Sequence, residues 1–327
     1  MKKRLLAMTL CAFMLGTGLL TGCSGSDDGA AKADGGQPAA SDSGGAAEKL
    51  KIGVSLANMS DDFTILLNKG VERAAAEFAD EVEFIVLDGK ADPTMQLNHI
   101  DTYLSQGVDA IVIQPTEADA CTSGIELANG AGIPVVCCNT KTTGGDFVYV
   151  GSEDIDAGRM QGEWIAENAP ENATYVYAML VMGQTGQIAR REGLLEVLAE
   201  KRPDIKCLAE QTSGGMRDQG MKLCEDWLQA YPDFTMYVSQ NDSAALGALE
   251  VLGTAGKDKL VCGVDGNAEA VQKVANGEMA MTVFQNAEGQ AYESCKTALQ
   301  ILKGEFSGDE VIIPFELITK DNAKDYL

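Results

Sequence analysis

From Lys51 onward the chain alternates short apolar runs with stretches whose apolar residues recur at helical spacing, and this alternation constrains the fold more than any other feature. Residues 51–57 read as a strand, 63–78 as a helix and 82–87 as a strand. A helix then begins near Pro93, a residue tolerated in a first helical turn. Apolar runs at 110–114 and 133–138 follow, separated by a helix over about 119–128. A second set repeats the logic, with strands near 174–181, 205–208, 235–239, 260–264 and 281–284 and helices between them. Strict alternation predicts an α/β fold of parallel sheets covered by helices on both faces, and its repetition predicts two doubly wound lobes.

In such sheets ligands bind beyond the carboxyl ends of the strands, where strand order reverses. The polar residues just after the predicted strands are residues 58–63, Asn139-Thr140, residues 183–190, Gln240-Asn241-Asp242, Asp265-Gly266-Asn267 and Gln285-Asn286. They come from both halves of the chain. A single site built from them therefore lies between the lobes and opens and closes by hinge motion.

The first residues carry a separate signal. Lys2, Lys3 and Arg4 precede an apolar run from Leu5 to Leu20, too short for a secure membrane span and suited to a signal peptide over residues 1–22. Leu20-Thr21-Gly22-Cys23 resembles a bacterial lipobox, which implies cleavage before Cys23 and a lipid on its sulfur. Residues 23–48 are rich in Ser, Gly, Asp and Ala, a composition that buries too little apolar surface to offset its ordering entropy, and read as a flexible tether. About 280 residues remain, enough for one large domain or two smaller ones.

The formal charge of -24 is spread along the chain with no basic stripe, which argues against nucleic acid as a partner. Of nine cysteines, Cys11 leaves with the leader and Cys23 takes the lipid, so seven remain; none forms Cys-x-x-Cys, and the single His99 has no Cys at ligand spacing, so no zinc site is expected. Cys137, Cys138 and Cys262 sit in strand-like runs as small buried hydrophobes, with the adjacent Cys137-Cys138 as the redox candidate. His99 reads as a surface or satisfied helix position, and Trp164 and Trp227 read as core. Gly183-Gln184-Thr185-Gly186 lacks the lysine of a phosphate loop and reads as a turn. One histidine and no Gly-x-Ser-x-Gly elbow leave the common catalytic triads unsupported, with a carboxylate pair of Asp61 and Asp265 as the remaining enzymatic alternative.

Taken in order, several segments resemble the type I periplasmic-binding-protein family, specifically its ribose, galactose and inositol receptors. They are Gln106-Gly107-Val108-Asp109-Ala110, the run from Gln240 to Leu249, Gly263-Val264-Asp265-Gly266 and Thr282-Val283-Phe284-Gln285. The resemblance spans nearly all of residues 51–319. It implies two lobes joined by a three-segment hinge, one from residues 49–152 and 286–313 and the other from 153–285 and 314–327. It further implies a non-enzymatic receptor for a small sugar or polyol, serving an ABC transporter permease from the extracytoplasmic side of the cell membrane. The membrane is met through the lipid anchor only. Neither a cofactor nor a structural metal is implied, and a monomer is the default. A receptor kinase or chemoreceptor is the alternative partner.

A neutral sugar offers hydroxyls that donate and accept, and apolar C–H faces. Asp61 and Asp265 suit it as acceptors, Asn139, Asn241 and Gln285 as groups that do both, and Arg190 as a donor fork. Phe63, two positions after Asp61, offers a ring, with a core position as its alternative. Arg190 resembles the family's ligand-reading arginine at a helix start, with Arg191 as fallback, and Gln187 is placed only by lying between the glycines and Arg190. Helix capping is the rival role for Asp265 and Asn241. Where ribose receptors carry a second aromatic, an Asp-Arg pair and a Phe, this chain has Thr64, Asn139-Thr140 and Gly215. The set Asp61, Phe63, Asn139, Asn241 and Asp265 is closer to glucose or galactose receptors, and residues 55–63 also resemble inositol receptors.

Overall fold

The computed structural model describes residues 48–253 and 258–327; the expected signal segment, Cys23 and all of the tether but Glu48 lie outside the described residues. Two six-stranded sheets organise the rest. The first holds β1 (Leu50–Leu56), β2 (Val82–Asp88), β3 (Ala110–Ile113), β4 (Val135–Cys138), β5 (Val148–Gly151) and β11 (Glu310–Ile312), in the order β11-β5-β4-β3-β1-β2, all parallel. The second holds β6 (Thr174–Met179), β7 (Lys206–Thr212), β8 (Met236–Ser239), β9 (Leu260–Asp265), β10 (Met281–Phe284) and β12 (Glu316–Ile318), in the order β12-β10-β9-β8-β6-β7. The two orders match strand for strand, so each sheet reverses direction of progress at its first strand and opens a ligand crevice there.

The second sheet is not wholly parallel, because β12 runs antiparallel to β10. The reason is geometric. β11 leaves the first sheet at its carboxyl end, and after only residues 313–315 the chain enters the second sheet from that sheet's carboxyl side, so β12 runs against its neighbours. A parallel entry would need a full crossover.

The central strands are buried on both faces, as parallel sheets require. On one face of the first sheet Ile52, Val54 and Leu56 pack on Leu67, Val71 and Ala74 of α1 (Asp62–Glu77) and on Ala291, Cys295 and Ala298 of α9 (Ala287–Lys303). Helix α9 follows β10 in the chain yet belongs to the first sheet. Gly70 permits the fit, since a Cβ there would lie 2.2 Å from the Glu288 carbonyl oxygen. The chain thus passes between the sheets three times: after β5 into α4 (Asp154–Asn168), after β10 into α9, and between β11 and β12.

Trp227 is buried in the second lobe's core and Trp164 packs against that lobe's other face. Cys137 and Cys138 are fully buried but enter different core clusters on opposite faces of β4, so they are not poised to pair with each other; burial pushes both thiols up to about 12. His99 is a satisfied helix position, its Nδ1 3.0 Å from Ser55 Oγ. No helix among the described residues is long and apolar enough to cross a membrane.

Candidate functional site

The carboxyl ends of the two sheets face each other across a cavity of about 230 Å³, small beside the roughly 300–1,000 Å³ typical of larger ligands. Seven of the eight anticipated ligand residues line it: Asp61, Phe63 and Asn139 from the first lobe, and Arg190, Asn241, Asp265 and Gln285 from the second side. Gln187 does not. It sits in the first turn of α5 (Thr185–Lys201), 4% exposed, with Nε2 3.6 Å from Met179 Sδ and Oε1 accepting from the Gly183 amide at 3.4 Å. Three residues later on α5, Arg190 reaches the cavity instead. The fallback Arg191 turns outward and forms a two-point ion pair with Glu210.

Arg190 is 4% exposed and fixed on three sides. Its Nε donates to Asp154 Oδ1 at 2.9 Å, Nη1 to the Gln240 carbonyl at 2.6 Å and Nη2 to Gln285 Oε1 at 2.9 Å, while Asp265 Oδ1 lies 3.9 Å from Nη1. Charge-assisted bonds of this kind lock a guanidinium in one orientation. Burial alone would lower its pKa, but Asp154 and Asp265 outweigh that and hold the charge.

Asp265 ends β9 with φ 129, while Asn139 follows β4 with φ 68 and Ala91 lies just after β2 with φ 58, so both sheets place non-glycine backbone in the left-handed half of backbone space at the cavity. Asparagine tolerates φ 68, but φ 129 lies beyond the narrow left-handed region, so Asp265 stores strain of the kind that collects at ligand sites. Asp265 Oδ2 accepts the Asp242 amide at 3.3 Å, and Asp265 does not cap α8 (Ala268–Asn276), a role taken by Asn267. Capping does belong to two other site residues. Asn241 Oδ1 accepts from the Ala244 amide at the start of α7 (Asp242–Leu252) while its Nδ2 donates to the Gly215 carbonyl, and Asp61 Oδ2 accepts from both the amide and the hydroxyl of Thr64 at the start of α1. Phe63 is half-buried against the first lobe's core and also faces the cavity.

Asp154, Gln114 and Thr116 are among the cavity residues absent from the strand-end reading. Asp154, which anchors Arg190, follows the four-residue strand β5 that the apolar pattern did not announce. Gln114 and Thr116 follow β3; Gln114 Oε1 accepts from the Ala57 amide at 3.0 Å, and the Thr116 hydroxyl and Gln285 Nε2 are buried without a protein partner. Their signal was in the sequence as polar residues just past an apolar run.

The second lobe concentrates charge. Burial raises the Asp154 carboxyl, with Arg190 opposing. Asp265 is pushed well up by burial and by Asp242 beside it, and Asp242, which accepts from Thr282 Oγ1 at 2.7 Å and from the Asn267 amide at 2.9 Å, is raised by its own burial. Burial also raises Asp61, against its hydrogen bonds to Thr64 and Phe63. The lobes touch at the rim, where Gln184 Nε2 donates to the Thr116 carbonyl at 3.1 Å and Ser243 Oγ donates to Asp62 Oδ2 at 3.2 Å.

A family model described as a periplasmic binding protein domain matches residues 52–306. A protein of Rhizobium meliloti named for rhizopine binding is 33% identical over 290 residues, covering 86% of this chain and 94% of its own length. The ribose import binding protein of Bacillus subtilis is 29% identical over 274 residues, covering 84% of this chain and 88% of its own. Among solved structures, an ABC transporter solute binding protein from Bacillus halodurans with bound myo-inositol superposes with a TM-score of 0.80 at 31% identity, covering 85% of this chain and 97% of that one.

Proposed function

Because the chain belongs to the periplasmic binding protein family, a sugar- and polyol-binding class of ABC-transporter type, we propose that it closes on one neutral monosaccharide or cyclitol and presents it to a membrane permease. The observation that carries this reading is the cavity between the two sheets, ringed by Asp61, Asn139, Arg190, Asn241, Asp265 and Gln285. Such a ring of acceptors and donors matches the edge of a polyhydroxylated ring, and Phe63 offers a face for its C–H groups.

Charge narrows the ligand. Arg190 is the one cation among the cavity residues and is already engaged by Asp154 and Gln285, with Asp265 nearby, so nothing remains to neutralise a carboxylate or phosphate. Size supports a single six-membered ring. A hexose or inositol is favoured over ribose by Gly215, which stands at the wall with φ 77 and brings no aromatic ring into the space. Hydrogen bonds to charged groups contribute roughly 1.5–3 kcal/mol each, and a few of them, less the cost of association, reach the roughly 8 kcal/mol of a micromolar complex.

The three chain passages after Ser152, Gln285 and Ile313 serve as the hinge in this reading, dividing the chain into lobes of residues 49–152 with 286–313 and 153–285 with 314–327. The protein works as a monomer tethered through Cys23 on the extracytoplasmic face and releases its ligand unchanged. Asp61 takes no part in bond cleavage here, since its carboxylate is committed to the first turn of α1.

Thermal-shift screening with D-ribose, D-glucose, D-galactose, myo-inositol and D-glucuronate tests the reading, because a ligand that binds only the folded state raises its stability by mass action. Glucose, galactose or inositol should give the largest shift and glucuronate none. A dominant shift from glucuronate, or ligand recovered in altered form, refutes the reading.

A further inference from the structure

One buried hydrogen-bond chain joins the first lobe's wall of the cavity to the passages between lobes. Asn139 Nδ2 donates to Gln290 Oε1 at 3.0 Å, Gln290 Nε2 donates to Ser152 Oγ at 2.8 Å, and Ser152 Oγ donates to the Ile313 carbonyl at 2.5 Å. Gln290 is fully buried in the first turn of α9, just after the second passage, while Ser152 and Ile313 stand at the first and third. Gln290 does not line the cavity.

The polarity of this chain is dictated from its far end. A carbonyl oxygen only accepts, so the Ser152 hydroxyl commits its one proton to Ile313 and meets Gln290 as an acceptor. Gln290 then offers its NH2 to Ser152 and its oxygen to Asn139, which turns its own NH2 inward. Among the described residues no group donates to Asn139 Oδ1, which is left for the cavity that Asn139 lines. Backbone contacts reinforce the link: the Asn139 amide donates to the Val150 carbonyl at 2.8 Å, and the Tyr149 hydroxyl reaches the carbonyls of both Asn139, at 3.0 Å, and Ser152, at 2.7 Å.

We propose that Gln290 is a positioning residue that fixes the Asn139 amide with its oxygen toward the ligand and carries occupancy of that amide to the hinge passages at Ser152 and Ile313. The inference rests on the proposed ligand site and deepens it, since it assigns this wall a ligand hydroxyl that donates. An unanchored asparagine would present either end of its amide. A ligand lacking a hydroxyl there would meet an oxygen with nothing to accept.

Calorimetric titration of myo-inositol, D-glucose and D-galactose into the wild-type protein, Gln290→Leu, Ser152→Ala, Asn139→Ala and the pairwise combinations tests it, with small-angle scattering to report lobe closure. Each of Gln290→Leu and Ser152→Ala should weaken the best of the three ligands about ten-fold, and their combination about as much as either alone, because both break the same chain. The liganded variants should scatter as a more open particle than the liganded wild type. If Gln290→Leu does not fold, the Asn139→Ala and Ser152→Ala cycle carries the test, with losses that fall several-fold short of multiplying. Losses that multiply, or wild-type affinity in Gln290→Leu, overturn the relay and leave the site reading standing. A wild-type protein that binds none of the three ligands removes both.

Discussion

The two walls of the cavity are built on opposite principles. The first lobe's wall is nearly neutral: Asn139 is held by Gln290, Gln114 is tied to the Ala57 amide, and the one carboxylate, Asp61, spends its oxygens on a helix cap. The second wall buries Arg190 among Asp154, Asp265 and, behind them, Asp242. Both lobes share one strand order, and their sheets differ only in the antiparallel edge strand β12, far less than their walls differ in charge. The difference teaches that a fold repeated twice can gather buried charge in one copy and leave the facing wall of the other nearly neutral.

That contrast is open to direct attack. The largest effect should come from Arg190→Met, which leaves Asp154 and Asp265 buried without a cation; breaking such a pair costs roughly 3–5 kcal/mol, read by urea denaturation of the unliganded protein. A loss no greater than that of Asn139→Ala would erase the distinction between the walls. Next, Asp265→Asn should weaken sugar binding about ten- to a hundred-fold by calorimetry while the unliganded protein loses no stability, since the amide oxygen still accepts from the Asp242 amide.

The pH dependence sharpens the same point. Asp154, Asp242 and Asp265 all have folded-state pKa values raised above the unfolded carboxylate value of about 4. Their contribution to stability is therefore fully present below that value and is lost as pH rises through the raised folded values. Asp265→Asn should gain on the wild type in denaturation midpoint as pH goes from about 4 toward 8; a gap that is constant across this range argues against the buried carboxylate. The smallest effect belongs to the neutral wall. Asp61→Ala should cost about 1 kcal/mol through the lost cap, with Asp61→Asn restoring most of it, and an affinity loss as large as that of Asp265→Asn would make the two walls alike.

Much of this is legible in the chain itself. Asp61, Asn139, Asn241, Asp265 and Gln285 were reachable because a polar residue just past an apolar run is a strand-end position in a parallel sheet, whereas Phe63 came from its spacing to Asp61 and Arg190 from the family resemblance. Asp154 escaped because β5 has four residues, too few to show a period against its neighbours, and β11 and β12, with three each, escaped likewise. Gln187 misled because it precedes Arg190 by three residues on α5: the helix sends Arg190 to the cavity and sets Gln187 one turn back against Met179 and Gly183.

The sequence by itself determined the layered α/β architecture, its duplication and the kinds of side chain at the strand ends, because those follow from local periodicity and chain order. Only the tertiary structure decided which strand-end groups share a buried volume and which carboxylates crowd one arginine. Such relations join residues far apart in the chain, from Asn139 to Gln290 or from Asp154 to Arg190, and the energy that fixes them comes from burial and hydrogen bonding that exist only once both lobes are packed.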